Sequence, residues 1–301
     1  MPVVDCHVHL YPPEVNVAPS AWAKVRGEHH WDLLCTRVRR SGGGVQGFPD
    51  VATLLRAMDH AGVERVVLQG WYWEHHDTCV FQNLFFERVL AAHPDRISAC
   101  MTLNPRQDLG SALAEMRRCR DAGFCGIGEL SPHSQRIAVN SPEWQGLLAE
   151  AAALRLPVLL HVTEPAGRGY PGRIPTPLGD FTEMAASHPG VTFILAHWGA
   201  RLPMDPVFGE KVRGMENVCF DTAASPLLYD PRVFQEMISA VGAHRLLFGS
   251  DYPLVLYPRE QVVPDIARFI ASARAACARE EDAAALLGGT AAQVFGLPRG
   301  R

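Results

Sequence analysis

Short apolar runs of strand character alternate with stretches of helical spacing along most of this chain. Eight such runs occur in 301 residues, and eight strand–helix units in one domain of that length predict an α/β fold, the (β/α)8 barrel. The runs are continuously apolar, as is typical of parallel strands buried on both faces. An open doubly wound sheet is the alternative, but it needs a glycine-rich phosphate loop after an early strand, which is not found. The predicted strands are 2–4, 65–68, 97–101, 124–127, 158–160, 192–195, 218–220 and 246–248.

Helices are predicted between the strands wherever apolar residues recur at a spacing of three to four. Two segments depart from the alternation within what we expect to be a single domain, 1–301. Residues 11–48 form a long insertion loop after the first strand, which should lie over the barrel mouth. Residues 258–301 carry alanine-rich helices that we expect to pack outside the barrel. The predicted helices of the barrel are 50–60, 77–92, 109–121, 141–153, 178–187, 203–213 and 231–240.

Composition excludes several classes of partner. The net charge of −4 and the pI of about 6.3 do not favour nucleic acid or an anionic membrane surface. The N-terminus lacks a basic region followed by an apolar one, and eight scattered cysteines form no CxxC pair. We therefore expect a cytoplasmic protein with a small-molecule substrate, and a homodimer as the default assembly.

Two histidines at the end of the first strand are the first candidate for chemistry. In Asp5-Cys6-His7-Val8-His9, the alternation of side chains along a strand places His7 and His9 on the same face. Two imidazoles on one face supply half of a divalent-metal site. The alternative is that the two histidines are unrelated residues at a solvated strand end.

Further histidines and carboxylates occur where later strands end. Because the carboxyl ends of all barrel strands meet on one face, these side chains should converge there with His7 and His9. Imidazole nitrogens and carboxylate oxygens together suit a borderline divalent cation. Each alone is more often a hydrogen-bonded core residue or a helix cap, but five strands with such a residue at the same point favour a site. The additional residues are Glu129, His161, His197 and Asp251.

These motifs resemble the amidohydrolase superfamily. The resemblance rests on Asp5-Cys6-His7-Val8-His9, Leu160-His161, 195–199 and 248–253, with 288–297 resembling the closing helix. It is strongest for the amidohydrolase-related group that includes aminocarboxymuconate-semialdehyde decarboxylase and lactonases. It covers the chain except for the insertion and is not specific for a substrate.

The resemblance implies that His7, His9 and His161 hold a metal, with Asp251 as ligand and proton shuttle. His197 would be a ligand of a second metal or a catalytic polar group. Zinc is the expected ion and manganese the alternative. Glu129 matches a bridging carboxylate of two-metal members similar to TatD-type hydrolases, so one or two ions are expected. Alternatively, Glu129 hydrogen-bonds a substrate or an arginine.

The first functional hypothesis is hydrolysis of a small carboxylated or cyclic ester, lactone or amide by metal-activated water. Non-oxidative decarboxylation of a carboxylated aromatic or muconate-like substrate is the alternative, and a non-catalytic metal- or ligand-binding barrel is a third. Both reactions favour a cation that holds a substrate carboxylate, and Arg168 and Arg173 after the fifth strand are the candidates. Tyr72 is a candidate for an aromatic wall and His133 for a substrate contact.

Overall fold

Eight parallel strands form the centre of the molecule in a computed structural model that describes residues 2–39, 42–167 and 169–298. Each strand pairs with the next in chain order. The ring is completed by hydrogen bonds between β1 and the stretch that follows β8: Cys6 N donates to Phe248 O at 2.8 Å, and Asp251 N donates to His7 O at 2.9 Å. The predicted (β/α)8 barrel is therefore confirmed. The strands are β1 Val3–Val8, β2 Val63–Leu68, β3 Ile97–Met101, β4 Gly126–Leu130, β5 Val158–Leu160, β6 Phe193–Leu195, β7 Val218–Asp221 and β8 Leu246–Leu247.

Helices surround the strands. The predicted helices agree with the structure to within one residue at each end, except for 203–213. There, residues 205–208 are not helical and only a short α-helix follows, because Pro203 and Pro206 remove backbone N–H donors. The helices are α1 Pro13–Val17, α2 Pro19–Arg26, α3 His29–Cys35, α4 Val51–Ala61, α5 His76–Ala92, α6 Leu109–Asp121, α7 Pro142–Leu154, α8 Leu178–Ser187, α9 Gly209–Arg213, α10 Ser225–Leu228, α11 Arg232–Val241, α12 Ile266–Ala276, α13 Glu280–Ala284 and α14 Thr290–Val294. None of the helices in the described ranges is long and apolar enough to cross a bilayer.

One apolar cluster fills the barrel interior and explains where the C-terminal tail goes. It contains one or two residues from almost every strand, which can meet only inside the ring. Phe295 and Leu297, just after α14, belong to the same cluster and lie against it. The expectation that the whole tail packs outside is therefore wrong for its last helix. The helix α12, which packs on α4 and α11, has the expected position outside the barrel. The strand residues of the cluster are Val4, Cys6, Val67, Cys100, Leu159, Ile194, Cys219 and Leu247.

The insertion 11–48 is a helical cover rather than a loop. It forms α1, α2 and α3, of which α1 and α2 begin with proline at a first-turn position, where a missing N–H costs nothing. Trp31 on α3 is buried against Trp73, which follows β2, at 5.5 Å between ring centroids. The buried Glu28 carboxylate accepts backbone N–H bonds from Glu74 and His75 of that same stretch. The cover is thus attached to the barrel by packing and by hydrogen bonds.

Candidate metal centre and active-site cavity

An irregularity in β1 determines where its two histidines lie. Pairing with β2 loses its register between Asp5 and Val8, and the Cys6 carbonyl accepts a bond from the Gln69 side chain at 2.8 Å. Cys6 packs in the barrel interior, whereas a regular strand would put the next residue on the opposite face. The irregularity instead brings His7 to the inside as well. His7 and His9 then face each other, with Nε2 atoms 3.1 Å apart.

Six predicted residues come together at the carboxyl ends of the strands as two donor groups. The first group is His7, His9 and Asp251, whose Oδ1 lies 3.9 Å from His7 Nε2 and 3.5 Å from His9 Nε2. The second is Glu129, His161 and His197, in which His161 Nδ1 lies 3.2 Å from His197 Nε2. Each group can surround one cation.

The Glu129 carboxylate connects the two groups. Its Oε2 lies 3.7 Å from both His7 Nε2 and His9 Nε2, while its Oε1 lies 3.0 Å from His161 Nδ1 and 3.7 Å from His197 Nε2. The strand prediction was wrong here in one respect, since Glu129 lies inside β4 rather than after it. The strand continues because Gly128, Glu129 and Leu130 are all buried between neighbouring strands.

Hydrogen bonds on the far side of the rings fix which nitrogen carries the proton. His7 Nδ1 donates to Asp221 Oδ2 at 2.7 Å, and His9 Nδ1 donates to the Gln69 carbonyl at 3.1 Å. His197 Nδ1 donates to the Ala223 carbonyl at 3.1 Å. In the neutral form of these rings, each Nε2 therefore presents a lone pair to the centre.

The donor set fits a divalent metal. Two Nε2 lone pairs 3.1 Å apart in a buried site repel each other unless a proton or a cation lies between them. Two imidazoles with a carboxylate are also the donors that divalent transition metals accept in proteins. This chain therefore provides a divalent-metal site.

Burial and charge shift the titrations of these groups in opposing directions. Burial raises the pKa of Asp251 to about 6. Burial and the neighbouring His7 lower the pKa of His9 to about 3. Burial alone would lower the pKa of His197, but Glu129 and Asp251 raise it to about 9. Carboxylates and imidazoles thus lie close together in a buried site. A bound cation would reduce the repulsion between the carboxylates.

Asp221, at the end of β7, is a positioning residue that the sequence analysis missed. Its Oδ2 accepts from His7, and its Oδ1 accepts the backbone N–H bonds of His197 at 2.9 Å and Ala223 at 3.0 Å. One carboxylate therefore orients a ligand of each donor group. Asp221 is the last residue of β7, so the convergence of strand ends on one face of a barrel accounts for its place beside the donor groups.

The Asp221→Asn variant should bind metal about 10–100-fold more weakly, because the amide presents a donor to His7 Nδ1 and favours the wrong tautomer. Metal titration of apoprotein measures the change. Asp108→Asn is the control, since that exposed carboxylate also accepts a backbone N–H bond, but at the start of α6 and away from the donor groups. Equal affinities in wild type and Asp221→Asn would remove Asp221 from this role.

A cavity of about 560 Å³ opens onto both donor groups. Its size lies within the usual range for small-ligand sites, about 300–1,000 Å³. Trp71 and Tyr72 form part of its wall and stack at 4.2 Å between ring centroids. Leu34 and Cys35 at the end of α3 also line it, so this part of the insertion lies against the cavity.

The candidate substrate-binding residues differ in their placement. Tyr72 lines the cavity, whereas Arg173 and His133 are outside the set of described lining residues. Arg173 donates to the Glu164 and Pro165 carbonyls at 2.9 and 3.0 Å, and His133 Nε2 lies 2.8 Å from Asp180 Oδ2. Arg168 lies outside the described residues.

Among the described residues, the arginine that lines the cavity is Arg37, which the sequence analysis also missed. Arg37 lies in the insertion, just after α3. It follows no strand, and the composition of its segment does not indicate a place at the site. Only the folding of the insertion over the mouth brings this residue to the site.

Solved structures with the same fold include enzymes of two reaction types. The chain is similar to 5-carboxyvanillate decarboxylase from Sphingomonas paucimobilis, with a TM-score of 0.72 and 18% identity over 99% of both chains. A dihydroxybenzoic acid decarboxylase from Polaromonas with bound manganese has a TM-score of 0.67 and 18% identity over 99% of this chain and 98% of that one. A protein described as a probable 2-pyrone-4,6-dicarboxylic acid hydrolase from Acinetobacter baumannii has a TM-score of 0.63 and 15% identity over 98% and 100%. At identities this low, the similarity shows a shared fold and nothing more.

A family model gives the broader assignment. The model described as Amidohydrolase matches residues 4–297, which is nearly the whole chain and includes both donor groups. The chain belongs to the amidohydrolase family.

Proposed function

We propose that this protein is a metal-dependent hydrolase of a small carboxylated or cyclic ester, lactone or amide. The observation that carries the proposal is the Glu129 carboxylate, which faces both donor groups at the floor of a ligand-sized cavity. A carboxylate that connects two such groups is suited to hold two cations. Asp251, a member of the first group, has part of its side chain open to the cavity.

The residues present would hold one ion through His7, His9 and Asp251, and a second through His161 and His197, with Glu129 between them. A divalent metal in such a site acidifies bound water and polarises a carbonyl oxygen. We favour zinc because the donors are imidazole and carboxylate. Manganese is the alternative, and it is the metal bound by the Polaromonas decarboxylase of similar fold.

Asp251 is the residue that we assign to proton transfer. Burial raises its pKa to about 6, so it is ionised at neutral pH and is still basic enough to accept a proton from the attacking water. Delivery of that proton to the leaving group returns the carboxylate to its starting form. His197 is held by Ala223 with its Nε2 toward the donor groups, where it would hold the second ion or hydrogen-bond a substrate oxygen.

Non-oxidative decarboxylation is the second candidate. The stacked Trp71 and Tyr72 give the cavity a flat aromatic wall beside His9, whose ring lies 5.5 Å from that of Trp71. Such a wall suits a carboxylated aromatic ring. Two of the similar structures described above are decarboxylases of aromatic acids. In this reaction Asp251 would deliver a proton to the ring carbon that loses carbon dioxide.

Chelation followed by metal restoration tests the proposal. The purified protein should hydrolyse at least one member of a panel of carboxylated lactones, aryl esters and amides, lose that turnover after chelation, and regain it with zinc or manganese. If only carboxylated aromatics are turned over, with release of carbon dioxide, the protein is a decarboxylase and the hydrolase assignment is wrong. Metal retention without turnover of any class would contradict both and leave a binding protein.

A further inference from the structure

We propose that Arg37 is the specificity residue of the cavity and binds a second carboxylate of the substrate, remote from the metal centre. This inference rests on the proposed function, since it uses the same cavity and narrows its substrate to dianions. Among the described lining residues, Arg37 is the sole lysine or arginine.

The cavity already contains three carboxylates that Arg37 does not neutralise. Glu129 and Asp251 belong to the donor groups, and the Glu164 carboxylate accepts from the Tyr229 hydroxyl and from Ala166 N–H. Across the described ranges no carboxylate oxygen lies within 4.0 Å of the Arg37 guanidinium. A guanidinium facing a cavity without a carboxylate partner is suited to receive one from a ligand.

The guanidinium is also oriented. Its Nε donates to the Leu34 carbonyl at 3.1 Å, and its carbon lies 5.1 Å from the centre of the Tyr170 ring. With Nε engaged, the edge formed by the two Nη atoms remains for two parallel bonds to one carboxylate. Tyr170 belongs to the loop after β5, so the contact joins the insertion to the barrel across the cavity mouth.

Backbone hydrogen bonds link Arg37 to the chain segment that carries Asp251. The Arg37 carbonyl accepts from Val45 N, whose own carbonyl accepts from Val255 N, each at 3.0 Å. Leu254 N donates to the Asp251 carbonyl at 2.9 Å. The same backbone segment therefore carries Asp251 and supports Arg37. This linkage orders the two places where the substrate carboxylates would bind before the substrate arrives.

Binding of two probe acids tests the inference without requiring turnover. Calorimetry on the metal-loaded protein should show that isophthalate binds at least about tenfold more tightly than benzoate, because a guanidinium–carboxylate pair with two parallel hydrogen bonds contributes about 10–100-fold in affinity. Arg37→Met should lose this preference and leave benzoate binding unchanged. Arg37→Lys should retain part of it, and Arg173→Met, whose guanidinium bonds backbone carbonyls, should retain all of it.

Three results would overturn the inference. The wild type could bind isophthalate no more tightly than benzoate, or Arg37→Met could keep the wild-type preference. The third result is an equal loss of affinity for both acids in Arg37→Met. The last result would indicate a structural role. The failure of every substrate in the chelation assay would refute the proposed function instead, since the two acids measure binding alone. In active protein, Arg37→Met should raise KM for a carboxylated lactone and leave KM for its methyl ester unchanged.

Discussion

The Asp251→Asn variant should fold normally and lose about 10²–10⁴-fold in kcat, the usual contribution of a positioned general acid–base. Asparagine keeps the size and one oxygen of the side chain but cannot accept and return a proton at neutral pH. The backbone should also tolerate the change. Asp251 has a φ of 65°, a left-handed conformation that asparagine adopts as readily as aspartate does.

Steady-state kinetics on the best substrate, together with circular dichroism, checks this prediction. A variant with unchanged secondary structure, a retained ion and a strongly reduced kcat supports the proton-transfer role. Wild-type kcat in Asp251→Asn would remove the residue from the mechanism.

The His7→Ala variant should lose the metal of the first donor group and, with it, turnover. His7 is fully buried, its Nε2 lies within 4 Å of His9, Glu129 and Asp251, and its Nδ1 is held by Asp221. Its removal takes away a donor and leaves the Asp221 carboxylate without one of its partners. The metal content of the purified variant, measured by elemental analysis, should fall by at least one ion per chain.

The His60→Ala variant is the matched control, since His60 is an exposed histidine in the last turn of α4. It should keep the wild-type metal content and activity. Full metal occupancy in His7→Ala would count against the site as assigned.

The strand order and the convergence of six donor residues were predictable because both follow from general rules. Parallel strands of a barrel present their carboxyl ends on one face, so residues near those ends must meet. Side-chain alternation placed His7 and His9 together correctly. It could not show that irregular pairing near Cys6 turns them inward, since no local signal marks that position.

The placement of His197 depends on a feature that residue types do not encode in any simple way. Residues 197–201 all have φ between 50° and 61°, a run that non-glycine residues rarely adopt. Gly199 is required within it, because a Cβ there would lie 2.8 Å from the Phe220 ring. The glycine is visible in the sequence, whereas the conformation of its neighbours is not.

The insertion was the least predictable part, and for that reason Arg37 was missed. Its helices are at most eight residues long and lack side-chain caps, so neither periodicity nor capping marks them. They are held by tertiary packing around Trp31 instead. Arg173 was predicted to bind substrate because it is a basic residue in a loop after β5. Its guanidinium instead donates to a backbone carbonyl.

The number of ions per chain tests the central claim most directly. Elemental analysis of protein purified without chelator should give two divalent ions in the wild type, and fewer in Glu129→Gln, whose amide cannot join both donor groups as a carboxylate does. A wild-type protein that contains no divalent metal and takes none up on titration would contradict the account.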